Sequence, residues 1–302
     1  MFRNWTKNGQ SCIIGDADLN QWLVSRGGLV GTLYVVGTPI GNLEDMSLRA
    51  LRILGEVDLI AAEDTRKTRK LLTHFKIETP LTSYYEHNKL TKLDELLSTL
   101  QYKDVALVSE AGMPGLSDPG YELIQAAIAQ GTPVVPVPGP SALITALVIS
   151  GLPTDSFLYL GFLPRRRKER RQLLASLAGE RHTLVAFEAP HRLLASLADL
   201  KDVLGDRRIA LARELTKLHE EVWRGSVSQA LTHFEDNPPR GEFTLVIEGA
   251  GEERVTWNEE RVVEALAELV AKGVEKKEAI KAVSELAGWP RREVYKLALK
   301  EF

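Results

Sequence analysis

Between Val105 and Gly120, four apolar residues (Val105–Val108) are followed by a loop holding three glycines and two prolines. Glycine lets a ligand approach the main chain closely, and the carboxyl end of a parallel strand is where α/β proteins bind small ligands. An ordinary strand-to-helix connection spans only a few residues, so this long, conformationally fixed loop reads as a ligand loop. A second concentration of chemistry is Arg165–Arg171, with six cations and one anion. Its members Arg165, Arg166, Arg167 and Lys168 are candidates for holding phosphates, although most charge runs are solvated faces. Arg66, Lys67, Arg69 and Lys70 form another basic cluster. Acids and imidazoles fall just past expected strand ends at Glu63-Asp64, Glu86-His87 and Glu188 with His191, the residue types suited to proton transfer. Asp64 is equally well placed to cap a helix starting at Thr65.

These groups need a scaffold, and the pattern supplies one. Strands are expected at Leu29–Val36, Val57–Ala61, Leu81–Tyr85, Val105–Val108 and Pro133–Pro136, alternating with helices at Ser47–Leu54, Thr65–Phe75, Thr91–Leu100, Tyr121–Gln130 and Ala142–Ser150. That alternation predicts a mostly parallel sheet with helices on both faces. Past Pro153 strands crowd together at Phe157–Phe162, Thr183–Phe187, Arg208–Arg213, Glu221–Gly225 and Phe243–Glu248. Fewer helices intervene, which predicts a mixed sheet. From Asn258 onward the chain reads as helical, with breaks at Gly273 and at Gly288-Trp289-Pro290, a helix-turn-helix-like pattern. The expected organisation is therefore a disordered extension over 1–28, an α/β lobe over 29–152, a second α/β lobe over 153–250 and a helical tail over 258–302.

Composition narrows the function. The net charge of −3 gives no global field for nucleic acid, so such a role must rest on local patches. The single cysteine, Cys12, excludes an intramolecular disulfide and a CxxC metal site and fits a reducing, cytoplasmic compartment. Histidine spacings of the HExxH or HxxxH kind are absent, as are GxGxxG after the first strand and GxxxxGK[ST], so no metal is expected. The most apolar segment, Pro133–Pro153, is broken by five prolines and two glycines and is no membrane span.

Eight motifs then follow in collinear order. They are Leu33-Tyr34-Val35-Val36-Gly37-Thr38-Pro39-Ile40-Gly41-Asn42, Ala62-Glu63-Asp64-Thr65-Arg66, Glu86-His87-Asn88, the Val105–Gly120 loop, Val137-Pro138-Gly139-Pro140-Ser141-Ala142, Gly161-Phe162-Leu163-Pro164, Phe187-Glu188-Ala189-Pro190-His191-Arg192 and Ala212-Arg213-Glu214-Leu215-Thr216-Lys217. In this series the chain resembles the tetrapyrrole methylase superfamily, and within it the subfamily that 2′-O-methylates a cytidine of small-subunit (16S) ribosomal RNA. The resemblance implies a two-lobed fold binding S-adenosylmethionine between the lobes, and a homodimer. It places Thr38, Pro39, Gly112, Met113, Pro114, Ser141 and Ala142 on the cofactor from the first lobe, and Phe162, Leu163, Ala212, Glu242, Phe243 and Thr244 from the second. Two departures stand out. Where relatives carry Ser-Asp-Ala-Gly this chain has Ser109-Glu110-Ala111-Gly112, and where some carry Glu-Ser-Thr-His-Arg it has Glu188-Ala189-Pro190-His191-Arg192.

Methyl transfer to a ribose hydroxyl requires in-line alignment and a route for the hydroxyl proton. His87 and Asp64 are the expected proton-handling or hydroxyl-orienting pair, with Arg66 and Asn88 positioning phosphate or ribose. The partner implied is ribosomal RNA or the small subunit. Competing readings are a methylase of a tetrapyrrole precursor or other small substrate, against which the basic clusters and the tail argue, and a non-catalytic RNA-binding protein, which predicts no cofactor pocket.

Overall fold

The computed structural model describes residues 30–86, 88–251 and 257–301. The extension expected over 1–28 lies outside the described residues, as does His87. Two compact units emerge: one takes residues up to Ile149 together with Ala212–Glu221, the other Ser150–Leu211 and the chain from Val222 onward.

The first unit is built on strands β1 (Leu33–Val36), β2 (Leu59–Ala62), β3 (Leu81–Ser83), β4 (Val105–Val108) and β5 (Val134–Val137), in the order β3-β2-β4-β1-β5. Every pairing is parallel. Helices α1 (Leu48–Glu56), α2 (Thr65–His74), α3 (Lys89–Thr99), α4 (Tyr121–Ala129) and α5 (Ala142–Ile149) connect the strands. Side chains alternate across a strand, and here both faces are buried. Tyr34, Val36, Ile60, Ala62, Ala106 and Val108 join one core, while Leu33, Ala61, Val105 and Leu107 join another. Burial on both faces is why these strands read as unbroken apolar runs rather than as alternating ones. Helix starts are set by side chains: Ser47 accepts from the Ala50 N–H at 3.1 Å, and Asp64 accepts from the Arg66 and Lys67 N–H groups at 2.8 and 3.3 Å.

The second unit holds β6 (Phe157–Phe162), β7 (Thr183–Glu188), β8 (Arg208–Arg213), β9 (Glu221–Ser226) and β10 (Phe243–Ile247) in the order β6-β7-β10-β8-β9. β6 runs parallel to β7 and β10 antiparallel to it, giving the mixed sheet. Helices α6 (Arg167–Ser176), α7 (Leu193–Leu204) and α8 (Val227–Asp236) contribute Leu174, Leu193, Leu197, Leu200, Val227 and Phe234 to its core. Helix α8 opens with a capping box between Ser226 and Gln229. The tail forms α9 (Glu259–Ala271), α10 (Lys276–Ala287) and α11 (Arg291–Glu301) around its own core of Val262, Leu266, Ile280, Val283 and Val294. Gly288 takes the left-handed conformation (φ 66°) that ends α10, and Trp289 packs against that core.

Within the run Arg165–Arg171, three cations converge on one carboxylate. Arg170 is buried, its guanidinium donating to Asp199 at 2.9 and 2.6 Å, and Arg167 and Arg171 each reach Asp199 at 3.1 Å. Burial alone would raise the Asp199 carboxyl; the three guanidinium groups overcome it and hold the pKa below the usual carboxylate range. Half of the cationic run is therefore a staple between α6 and α7. Asp199→Ala, which strands a buried guanidinium, is expected to cost about 3–5 kcal/mol in chemical denaturation. Arg165→Ala, at an exposed position, is expected to change stability by less than about 0.5 kcal/mol.

Candidate active site

In the first unit the loops after β1, β4 and β5 leave neighbouring strands and meet. Thr38 and Gly112 form an isolated antiparallel bridge, with Thr38 N donating to Gly112 O at 2.9 Å and Gly112 N to Thr38 O at 3.0 Å. Contact is so close that a Cβ added to Gly37 would fall 2.6 Å from Met113 Sδ and 2.7 Å from Gly139 Cα. One on Gly139 would fall 2.8 Å from the Gly37 main chain. Gly112 takes φ 79°, a conformation glycine adopts without steric cost. The motifs Gly37–Asn42, Ala111–Pro114 and Val137–Ala142, far apart in sequence, thus become one surface at the carboxyl edge of a parallel sheet. They gather the expected cofactor residues Thr38, Pro39, Gly112, Met113, Pro114, Ser141 and Ala142. Glycine at 37 and 139 lets these loops pack directly on one another, because neighbouring main chain fills the space a Cβ would need.

Gly41 packs on Leu215–Lys217 of the same unit, a Cβ there falling 2.4 Å from Lys217 Cγ and 2.9 Å from Thr216 Oγ1. That segment carries two non-glycine residues at positive φ, Glu214 (48°) and Thr216 (65°). Strain of this kind gathers at functional loops.

The acid–base candidates occupy different environments. Asp64 spends its carboxylate on the first turn of α2 and on the Arg66 guanidinium at 3.4 Å. The Arg66 N–H and then its guanidinium hold the Asp64 carboxyl below its ordinary pKa. It stays charged and can accept a hydrogen bond, but it is a poor store for a proton. Arg66 itself is exposed. Asn88 accepts from the Tyr85 N–H at 2.7 Å and donates to Ser83 O and Oγ at 3.2 and 3.1 Å, so its side chain shapes the turn after β3. Glu188 is buried, paired with Arg192 and accepting from Ser196, which makes it part of the second unit's framework.

Sequence reasoning passed over Asp118, in the loop between β4 and α4. Burial, followed by repulsion from Glu63, pushes its pKa up to about 7. Glu63 accepts from the Glu110 N–H at 3.0 Å, and Glu110 pairs with Lys67. The Ser-Asp-Pro-Gly turn, followed by helix α4, was the available signal.

In the second unit, Phe162 and Phe187 lie 5.5 Å apart, and Thr244 is the register partner of Phe187 and Phe243 of Glu188. Leu163 donates its N–H to Phe187 O at 3.4 Å. Phe162 and Leu163 therefore flank β7 at Phe187 from one side, and Phe243 and Thr244 from the other. Glu242 is exposed at the entry to β10, while Ala212, buried near the end of β8, opens the segment that belongs with the first unit. Of the basic run, Arg166 pairs with Glu169 at 3.1 Å and Arg167 with Asp199, while Arg165 and Lys168 are exposed.

Known proteins share this arrangement. The profile of the tetrapyrrole (corrin/porphyrin) methylases matches residues 32–231. A ribosomal RNA small subunit methyltransferase I from Synechocystis is 51% identical over 90% of this chain and 98% of its own length. One of the same name from Thermotoga maritima is 52% identical over 73% of this chain and 99% of its own. Among solved structures, diphthine synthase superposes with a TM-score of 0.57 at 14% identity, covering 72% of this chain and 90% of its own. A cobalt precorrin-4 methyltransferase of cobalamin biosynthesis reaches 0.55 at 16% identity, over 72% and 94%. At that identity the structures speak for the fold alone.

A raised folded-state pKa means that folded Asp118 holds its proton more tightly than the unfolded chain. Its stabilising contribution is therefore largest at low pH and is lost as pH climbs from 3.8 to about 7. Asp118→Asn is expected to flatten melting temperature against pH across that window and to melt above the unsubstituted chain at pH ~8. Parallel curves for the two proteins would show that Asp118 titrates normally.

Proposed function

We propose, from the premise that the chain belongs to the tetrapyrrole methylase family, that it is an S-adenosylmethionine-dependent methyltransferase acting on a cytidine ribose 2′-oxygen of small-subunit ribosomal RNA. The single observation that carries this is the junction of the Gly37, Gly112 and Gly139 loops, a backbone cradle for a small cofactor within a chain 51% identical to a ribosomal RNA methyltransferase over nearly its whole length. The exposed cations Arg66, Arg69 and Lys70 on α2 suit a polyanionic substrate such as an RNA backbone.

When bound, S-adenosylmethionine supplies an electrophilic methyl group on a sulfonium. The chain's own residues do the rest. The main chain of Gly112, Met113 and Pro114 and the start of α5 at Ser141 and Ala142 hold the cofactor rigidly, since each is anchored by β1, β4 or β5. Rigid alignment supplies much of the rate, because it turns an encounter into a near-intramolecular step. Asp64, kept ionised, would accept from the ribose hydroxyl and orient it, and His87 would take the proton on its imidazole as the methyl passes from sulfur to oxygen, its bond to sulfur breaking to leave a neutral thioether. Arg66 holds the adjoining phosphate. The same reading carries a homodimer and a cytoplasmic location, where small subunits are found; no helix among the described residues is long and apolar enough to cross a membrane.

The test is transfer of labelled methyl from S-adenosylmethionine to small ribosomal subunits lacking the modification, with nucleotide and atom mapped. Label on a cytidine 2′-oxygen is the expected outcome, and label elsewhere, or none, overturns the substrate assignment. His87→Ala is expected to lower kcat by about 10²-fold. Asp64→Asn keeps a competent helix cap, so it should lower kcat while leaving the melting temperature within about 2 °C. A cofactor held at about a hundred times its Kd should stabilise the chain by about 2.7 kcal/mol; no rise in melting temperature would remove the methylase reading itself.

A further inference from the structure

A recess of about 230 Å³ lies in the first unit between the 38–43 loop, α2 and the end of β4. Its wall includes Thr38, Leu43, Lys67, Lys70, Leu71 and Glu110. The recess has the mixed character of a sugar-phosphate site: apolar from Leu43 and Leu71, cationic from Lys67 and Lys70. Thr38 is only 3% exposed, and its hydroxyl has no hydrogen-bond partner among the described residues. A buried hydroxyl left unpaired is costly, and a ligand oxygen at the recess would relieve that cost. Lys67 is held by Glu110, both side chains remaining partly open to solvent. Helix α2 carries Arg66, Lys67, Arg69 and Lys70 and no acidic residue between Thr65 and His74. An RNA backbone lying along it would meet successive cations.

We propose that this recess receives one nucleotide of a single-stranded RNA. Thr38 supplies its hydroxyl to the sugar or phosphate, and Lys67 exchanges Glu110 for the phosphate. Arg66, Arg69 and Lys70 hold the flanking phosphates. The proposal rests on the ribosomal RNA methyltransferase reading and deepens it, moving the side chains of Thr38 and Pro39 from the cofactor to the RNA while the Thr38 main chain stays in the loop junction. Glu110 acquires a role as well. As the anion that occupies Lys67 until RNA arrives, it competes with weakly held phosphates.

The experiment titrates the full chain with a fluorescently labelled, cytidine-containing short single-stranded RNA, and separately with S-adenosylmethionine by calorimetry. Thr38→Val and Lys67→Gln are each expected to weaken RNA binding by about tenfold, Lys67→Gln also lowering the salt slope by about one. Glu110→Gln should tighten it, Thr38→Ser should restore it, and cofactor affinity should stay within about twofold throughout. Indifference of RNA binding to all these substitutions, or absence of binding by the unsubstituted chain, overturns the proposal. So does loss of cofactor affinity in Thr38→Val with RNA binding intact, which would return Thr38 to the cofactor. Failure of the methyltransferase reading is separate, since it appears as no transfer to subunits by the unsubstituted protein.

Discussion

The two hydrogen bonds between Thr38 and Gly112 are the constraint on which the first unit's chemistry depends. β1 and β4 are neighbours in the sheet, so the loops that leave them begin side by side. The absence of side chains at Gly37 and Gly139 lets the loop after β5 pack on the loop after β1 as well, each main chain standing where the other's Cβ would be. Parallel sheets open their strand ends to ligands in this way at a cost in backbone freedom, because each glycine loses more conformational entropy on folding than any other residue. With the bridge in place, Met113, Pro39 and Ser141 hold fixed relative positions; without it they are three independent loops.

Much of this was legible in the residues. Buried parallel strands announce themselves as short apolar runs, and Val105–Val108 matches its expected bounds. Strands in the second region fell closer together with fewer helices between them, and the sheet there is mixed, β6 parallel and β10 antiparallel to β7. The breaks at Gly273 and Gly288 separate the tail helices as glycine placement foretold. The Asp64 cap was visible too, since an aspartate before a helical pattern is a start signal. Hidden were the facts that depend on distance in the chain. No local rule pairs Arg170 with Asp199, 29 residues away, and none reveals that Ala212–Glu221 belongs with the first unit. Nor does spacing alone show Asp118 half-buried near Glu63, since that depends on how the loop after β4 folds back.

Charge is sorted by fold rather than by density. The Arg165–Arg171 run is the richest basic stretch, yet its inner members are consumed by one buried carboxylate. Arg170, fixed in a buried pair, is out of reach of phosphate and would leave its partner stranded if it moved. In the sparser cluster on α2, Arg66 pairs with Asp64 and Lys67 with Glu110, and both contacts are open to solvent, where ion pairs are weak and exchangeable. Availability therefore ranks α2 ahead of α6 as a surface for RNA, the reverse of the order that counting charges gives.

Departures from ordinary folding rules fall unevenly between the two units. In the second, the buried ionic groups Arg170, Asp199 and Glu188 are all paired. In the first, Thr38 and Thr216 bury hydroxyls without a partner among the described residues, Ser117, Glu214 and Thr216 sit at positive φ, and Asp118 has its pKa raised beside other acids. Each feature is unfavourable to folding, and each would be removed by a common substitution if stability were all that mattered. They concentrate around the loops after β1, β4 and β8, within the first unit. A fold tends to violate its own local rules where it must bind or react. The costs to folding thus gather in the first unit, while the second keeps a satisfied core and stapled helices.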